Sequence, residues 1–201
     1  MRLTALAMVL LAVGAVGAAW MLSVRRVEAL PVYWELPAFS LVDHRGQAFG
    51  LSELAGAPWI ADFIFTRCAG ACPVMTARMA RLQSQLPART RLVSLTVDPE
   101  HDTVEVLARY AATFDAGPGW IFATGPREAL YALSVDGFKL EARAVPAEEQ
   151  KAGAGDGPFL HSSKMALVDG RGRVRGYYDS TDPAALARLV DDTARVASEA
   201  P

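Results

Sequence analysis

The chain opens on a single apolar block. Residues 3–24 are broken only by Thr4 and Ser23, and they are flanked by Arg2 and by Arg25-Arg26. Beyond it, short apolar runs alternate with amphipathic stretches. Residues 27–35 read as a linker, with Pro31 and Pro37 at its far end. Residues 39–43 alternate like a strand, His44-Arg45-Gly46 supplies a turn, and residues 48–51 form the returning strand. Ser52 reads as the N-cap of a one-turn helix, 53–55, stopped by Gly56. Residues 59–65 are a continuous apolar run interrupted by Asp62, the pattern of a central strand buried on both faces.

Met75, Met79 and Leu82 recur at helical spacing over residues 74–86, before Pro87. A β-branched strand follows at 91–97, then a helix at 103–114 capped by Thr103 with Glu105 in its first turn. Residues 120–123 read as a strand and 126–134 as a helix opened by Pro126. The polar stretch 139–159, rich in Gly, Ala and Glu, reads as a long mobile loop. Strands at 164–168 and 174–178 flank the turn Asp169-Gly170-Arg171-Gly172, and a terminal helix runs from Asp182-Pro183 to about residue 196.

Strands alternating with helices, closed by a hairpin and a helix, indicate an α/β sheet with helices on both faces. A dithiol after the first long buried strand makes the arrangement thioredoxin-like. The apolar block is long enough to span a bilayer core of ~30 Å, and longer than the roughly 7–15 residues of a signal-peptide core. It is therefore read as an uncleaved N-terminal transmembrane helix, although Val16-Gly17-Ala18-Ala19 offers small residues for cleavage. The expected organisation is an anchor at 1–26, a linker at 27–36 and a thioredoxin-like domain at 37–201. The arginines on both flanks of the span nearly cancel as orientation signals. Placement of the domain outside the cytoplasm rests on the signal-like position of the segment and on the chemistry of the site. With 201 residues and a net charge of −2, the soluble part suits one domain and gives no electrostatic case for nucleic acid.

The chain has only two cysteines, in Thr66-Arg67-Cys68-Ala69-Gly70-Ala71-Cys72-Pro73. Pro73 fits the first turn of a helix, so Cys72 is expected at or next to the N-cap, where a helix end favours thiolate. Three intervening residues allow a disulfide, a redox dithiol or a shared soft metal. Two thiolates rarely complete a metal site, so a third ligand is sought among three histidines. His44 reads as a solvated turn residue and His101 as a surface loop residue. His161 follows the flexible loop and precedes the closing hairpin, as either ligand or loop residue. Met75 and Met79 read as core packing. Asp62 is expected at an edge or near the site, because a buried carboxylate needs a partner.

Three blocks together decide more than spacing does: Thr66-x-Cys68-x-x-x-Cys72-Pro73; Thr96-Val-Asp98-Pro-Glu-His-Asp102-Thr103; and His161-Ser-Ser163 with Leu167-Val-Asp169. In this order, from about residue 36 to 196, they resemble the SCO/SenC family. Those are membrane-anchored, thioredoxin-like copper proteins of the bacterial cell envelope and the mitochondrial inner membrane. The resemblance implies one copper ion, Cu(I) or Cu(II), on Cys68, Cys72 and His161, with Asp98 supporting the site from behind. It also implies inner-membrane anchoring with the domain on the periplasmic side. The implied partner is the copper-bearing subunit of cytochrome c oxidase, at its CuA site. Two departures stand out: Ala69-Gly70 replaces the family's usual Pro-Asp, and Val104 stands where proline is usual.

Two functions follow. A copper metallochaperone would hold copper at the three ligands and pass it on by ligand exchange. A thiol–disulfide oxidoreductase would instead use Cys68 and Cys72 as a catalytic redox pair to keep acceptor cysteines reduced. A static disulfide is the third reading, and closing so small a loop gives it little stabilising value.

Overall fold

A computed structural model describes residues 29–68, 70–145 and 159–199. The apolar block and the middle of the stretch expected as a loop lie outside these. Among the described residues no helix is long and apolar enough to cross a membrane.

The strands are β1 (Trp34–Glu35), β2 (Ser40–Asp43), β3 (Ala48–Gly50), β4 (Trp59–Ile64), β5 (Arg91–Thr96), β6 (Trp120–Thr124), β7 (Ala142–Ala144), β8 (Phe159–His161), β9 (Lys164–Val168) and β10 (Arg173–Asp179). The helices are α1 (Leu51–Leu54), α2 (Ala71–Leu82), α3 (Val104–Thr113), α4 (Arg127–Ala132) and α5 (Pro183–Ser198). The main sheet has the order β1-β10-β9-β4-β5-β6-β2-β3. Its centre is parallel: β4 runs beside β5 and β5 beside β6, with Ile64 opposite Thr96. The outer pairs are antiparallel. This explains the apolar run at 59–65: strands flanked on both sides and covered on both faces need apolar residues at nearly every position. All six residues of β4 are buried.

Successive side chains of a strand point to opposite faces. Trp59 and Phe63 pack edge-on against Phe138, at 5.9 and 5.4 Å between ring centroids. That face carries α4 and a π-helical turn, Leu133–Gly137. The other face carries α2 and α3, joined by a hydrogen bond between Thr76 and Tyr110 (3.1 Å). Tyr177 and Tyr178 report the same division: the Tyr177 hydroxyl donates to Phe138 O, and the Tyr178 hydroxyl to Asp192 on α5. Each fully buried large apolar side chain contributes roughly 1.5–3 kcal/mol.

Two turns share one device. In Asp43-His44-Arg45-Gly46 and in Asp169-Gly170-Arg171-Gly172, the aspartate Oδ1 accepts from the backbone N–H two and four residues ahead, at 2.8–3.1 Å. The fourth position has φ +77° in both, a conformation that favours glycine. Arg175 is almost wholly buried and ties three segments together. Its guanidinium donates to Asp169, to Glu199, and to the carbonyls of Leu30 and Pro31.

Several expectations change. Ser52 is not the cap of α1; Gly50 is, and its N–H donates to Glu53 Oε2 at 2.7 Å. The linker reading overlooked β1, which extends the sheet beside β10. Within 139–159, the ends are not loop: β7 pairs antiparallel with β8, with Ala142 opposite His161. Asp62 is not at an edge. It sits at the centre of β4, opposite Ser94 of β5, with no exposed surface.

Candidate metal centre

The site lies where β4 and β5 end, the carboxyl edge at which open parallel sheets place their ligands. β4 runs into Phe65-Thr66-Arg67-Cys68, and β5 into Val97-Asp98. Two aspartates of the second segment fasten the first. Asp102 accepts from Thr66 N at 3.1 Å, from the Thr66 hydroxyl at 2.5 Å and from the Thr96 hydroxyl at 2.6 Å. Asp98 accepts from Arg67 through Nε (3.0 Å) and Nη2 (2.5 Å). It therefore supports the residue before Cys68 rather than either sulfur. Asp98 and Asp102 are both buried, and both have the charged or hydroxyl donors that a buried carboxylate needs.

Helix α2 begins one residue earlier than the proline suggested. Gly70 is its N-cap, so Cys72 is the second helical residue. Its backbone N–H donates to Cys68 Sγ at 3.4 Å. A donor of the first helical turn thus points at the sulfur of Cys68, not at that of Cys72. No disulfide joins the cysteines. Cys68 is 5% exposed and Cys72 0%. The expectation of a thiolate-like Cys72 is corrected here: burial pushes its thiol well above the usual range, outweighing the helix end. Thr76, one turn on, donates to Cys72 O at 2.9 Å and meets the Tyr110 hydroxyl. Met75 and Met79 are buried in the core, as read from their spacing.

Asp62 belongs to this neighbourhood. Neither of its carboxyl oxygens has a hydrogen-bond partner. Burial raises its pKa to about 7, and Ser94 moderates that rise without reaching hydrogen-bond geometry. Burial is the main cause that raises both the Cys72 thiol and the Tyr110 phenol, and the Asp62 charge adds a smaller push to each.

The histidines separate. His44 is not a solvated turn residue: its Nδ1 accepts from Phe122 N at 3.1 Å, its ring edge meets Phe122, and burial lowers its pKa. It pins the β2–β3 turn to β6. His101 is exposed, in the turn that Asp98 caps through its carbonyl. The backbone of His161 lies in β8, while its side chain is outside the described part. Phe159, two residues earlier, packs on Phe65 with ring centroids 5.5 Å apart, so β8 enters beside the segment that leads to Cys68. Among the described residues no three His, Cys, Asp or Glu side chains cluster as a metal site. A concave surface between residues 56–58 and the 169–173 turn lies at the other end of β4, away from this chemistry.

Sequence reading missed Thr66, Thr96 and Asp102 as a unit, although all three stand inside the motif blocks. It also passed over Arg67 and Tyr110, for which no local pattern signals a role.

Residues 34–198 match the SCO1/SenC family model. The chain belongs to the SCO1/SenC family. It is 39% identical over 152 residues to a protein of Stutzerimonas stutzeri named as copper-binding, covering 74% of this chain and 71% of that one. A SCO1/SenC lipoprotein from Bacillus anthracis str. Ames superposes with a TM-score of 0.73 at 30% identity, over 88% of this chain and all of that one. BsSco is described as a Sco-family cytochrome c oxidase assembly protein with a disulfide switch. It superposes with a TM-score of 0.70 at 28% identity, over 86% of this chain and 100% of its own. These likenesses cover the mixed α/β sheet and its helices, which is the thioredoxin-like fold of the Sco structures.

Proposed function

We propose that this SCO1/SenC protein is a copper metallochaperone that holds one copper ion through Cys68, Cys72 and His161. The observation that carries the reading is the pair of shielded sulfurs at the carboxyl edge of the sheet, with a helix-start N–H directed at Cys68. Soft thiolates suit Cu(I), and an imidazole adds a donor that Cu(II) also accepts. The packing of Phe159 on Phe65 supports His161 as the third ligand, since it brings β8 to the same edge. Asp98 acts on the site indirectly, by holding Arg67. The S. stutzeri relative named as copper-binding agrees with this cargo.

The acceptor is the copper-bearing subunit of a haem–copper oxidase at its CuA site, in keeping with the assembly role stated for BsSco. Residues 1–26 serve as the membrane anchor, and the segment that follows joins it to the domain, whose sheet begins at β1. The domain stands on the extracytoplasmic side of the inner membrane. Titrating the reduced protein with Cu(I) and Cu(II) tests the reading. A thiolate-to-Cu(II) charge-transfer band, abolished by Cys68→Ser or Cys72→Ser, is expected.

The second reading, a thiol–disulfide oxidoreductase, gains from the disulfide switch described for BsSco. In that case Cys68, with the more accessible sulfur, is the attacking thiol and Cys72 resolves the mixed disulfide. Protein that binds no copper but reduces a test disulfide establishes that alternative.

A further inference from the structure

The chain from the apolar block arrives at the pole of the sheet opposite the dithiol. β4 and β5 start at that pole, and the 169–172 turn between β9 and β10 closes it. Buried Arg175 fixes the arrival point. Its guanidinium donates to the carbonyls of Leu30 (2.7 Å) and Pro31 (3.1 Å), and also to Asp169 of the turn and to Glu199 after α5. Leu30 therefore sits within one guanidinium of the turn. Four residue steps separate it from Arg26, and fully extended they cover at most ~14 Å. With residues 1–26 as the anchor, Leu30 can stand no farther than that from the anchor's end.

The chemistry of this pole suits so close a membrane. The recess between residues 56–58 and the turn is lined by Arg89, Arg171 and Arg173, with Asp169 and Glu199 as its carboxylates. Both carboxylates are already matched, since Arg175 pairs with each and Arg173 pairs with Asp169 as well. Arg89 and Arg171 are exposed and enter no ion pair among the described residues. Arg91 starts β5 at the same edge, where Glu53 feels its charge. The uncompensated charge of the recess is thus positive. Beside it, Val32 and Tyr33 are two of the five large apolar side chains exposed among the described residues. Arginines next to exposed apolar and aromatic side chains make a surface that fits a lipid interface. Neither the fold nor the dithiol employs Arg89 or Arg171.

We propose that this pole docks on anionic phospholipid headgroups, with Arg89 and Arg171 paired to their phosphates. The domain then stands upright on its anchor. The six residues of β4 begin at the docked pole and cover ~17–20 Å on the way to the site. The dithiol edge is held clear of the lipid and faces away from it, open to an acceptor. This inference rests on the proposed membrane anchor and deepens it, and it is independent of which chemistry the dithiol performs.

Full-length protein in vesicles of phosphatidylcholine, with or without phosphatidylglycerol, provides the test, read by amide hydrogen exchange. An arginine near an anionic surface is worth roughly a five-fold gain in association. Residues 87–91 and 169–173 should therefore exchange at least about five-fold more slowly on the anionic vesicles, while residues 97–102 beside the dithiol exchange alike on both. Raised salt should remove the difference. So should Arg89→Gln combined with Arg171→Gln, whose melting in detergent should match wild type; the double Lys variant should keep most of the slowing. Protein that washes off both kinds of vesicle at alkaline pH overturns the anchor and the docking together. Protein that stays on, yet exchanges equally on both, overturns the docking alone. Slowing that persists in the double Gln variant, or that moves to residues 97–102, also overturns it. So does slowing that follows the protein-to-lipid ratio instead of the anionic lipid, which assigns the surface to a second copy of the chain.

Discussion

Asp62 sets a measurable cost on the fold. Its pKa rises from 3.8 to about 7 on folding, roughly three units at about 1.4 kcal/mol each, or ~4 kcal/mol. The sign follows from proton binding. The native state holds this proton more tightly than the unfolded chain, so the protonated form favours folding. The penalty is absent below about pH 4, grows as pH rises, and is complete above about pH 7. Set against a typical domain stability of about 5–15 kcal/mol, it is large. Asp62→Asn keeps the shape and removes the titration. The variant is expected within about 1 kcal/mol of wild type at the acid end and several kcal/mol more stable at about pH 8. Urea unfolding of both proteins, metal-free and reduced, from about pH 5 to about pH 8 measures the difference. Parallel pH profiles, or a variant less stable at the alkaline end, refute the reasoning.

Other substitutions probe the supports of the site. Asp102→Ala removes the acceptor of three hydrogen bonds from Thr66 and Thr96; it should cost ~2–4 kcal/mol in a thermal melt and weaken the thiolate-to-Cu(II) band. Arg67→Ala leaves the buried Asp98 carboxylate without the guanidinium that donates to it, so stability should fall by ~1–3 kcal/mol while copper dissociates faster in competition with a chelator. Arg175→Met leaves buried Asp169 without one of its cations and frees the carbonyls of Leu30 and Pro31. It is expected to destabilise by ~3–5 kcal/mol and to speed proteolysis ahead of β1.

Much of this molecule is legible in its sequence. The apolar runs of β4, β5 and β6, the turn at 169–172 and the proline after Cys72 each carry a strong local signal, and each forms the expected element. What escaped depends on neighbours distant in the chain. β1 is two residues that become a strand only because β10 offers a free edge. β7, Ala-Arg-Ala, has no alternation and acquires its identity from pairing with Phe159–His161. Asp62 was expected at an edge or near the site on the rule that buried carboxylates are partnered; it lies on the strand that leads to the dithiol, not at an edge, and neither oxygen finds the hydrogen-bond partner that the rule requires. For Cys72 the helix start was readable, but the burial that outweighs it was not. The motif blocks pointed to Cys68, Cys72 and Asp98. They did not reveal that Asp98 reaches the site through Arg67, because that contact joins residues 31 positions apart.

The central claim is a three-ligand copper site, and X-ray absorption at the copper edge, with metal content per chain, tests it most directly. The expected result is one copper per chain with two sulfur donors and one imidazole nitrogen. In His161→Ala the nitrogen scatterer should disappear and the metal content should fall. Full copper content in that variant, with an unchanged ligand shell, contradicts the claim.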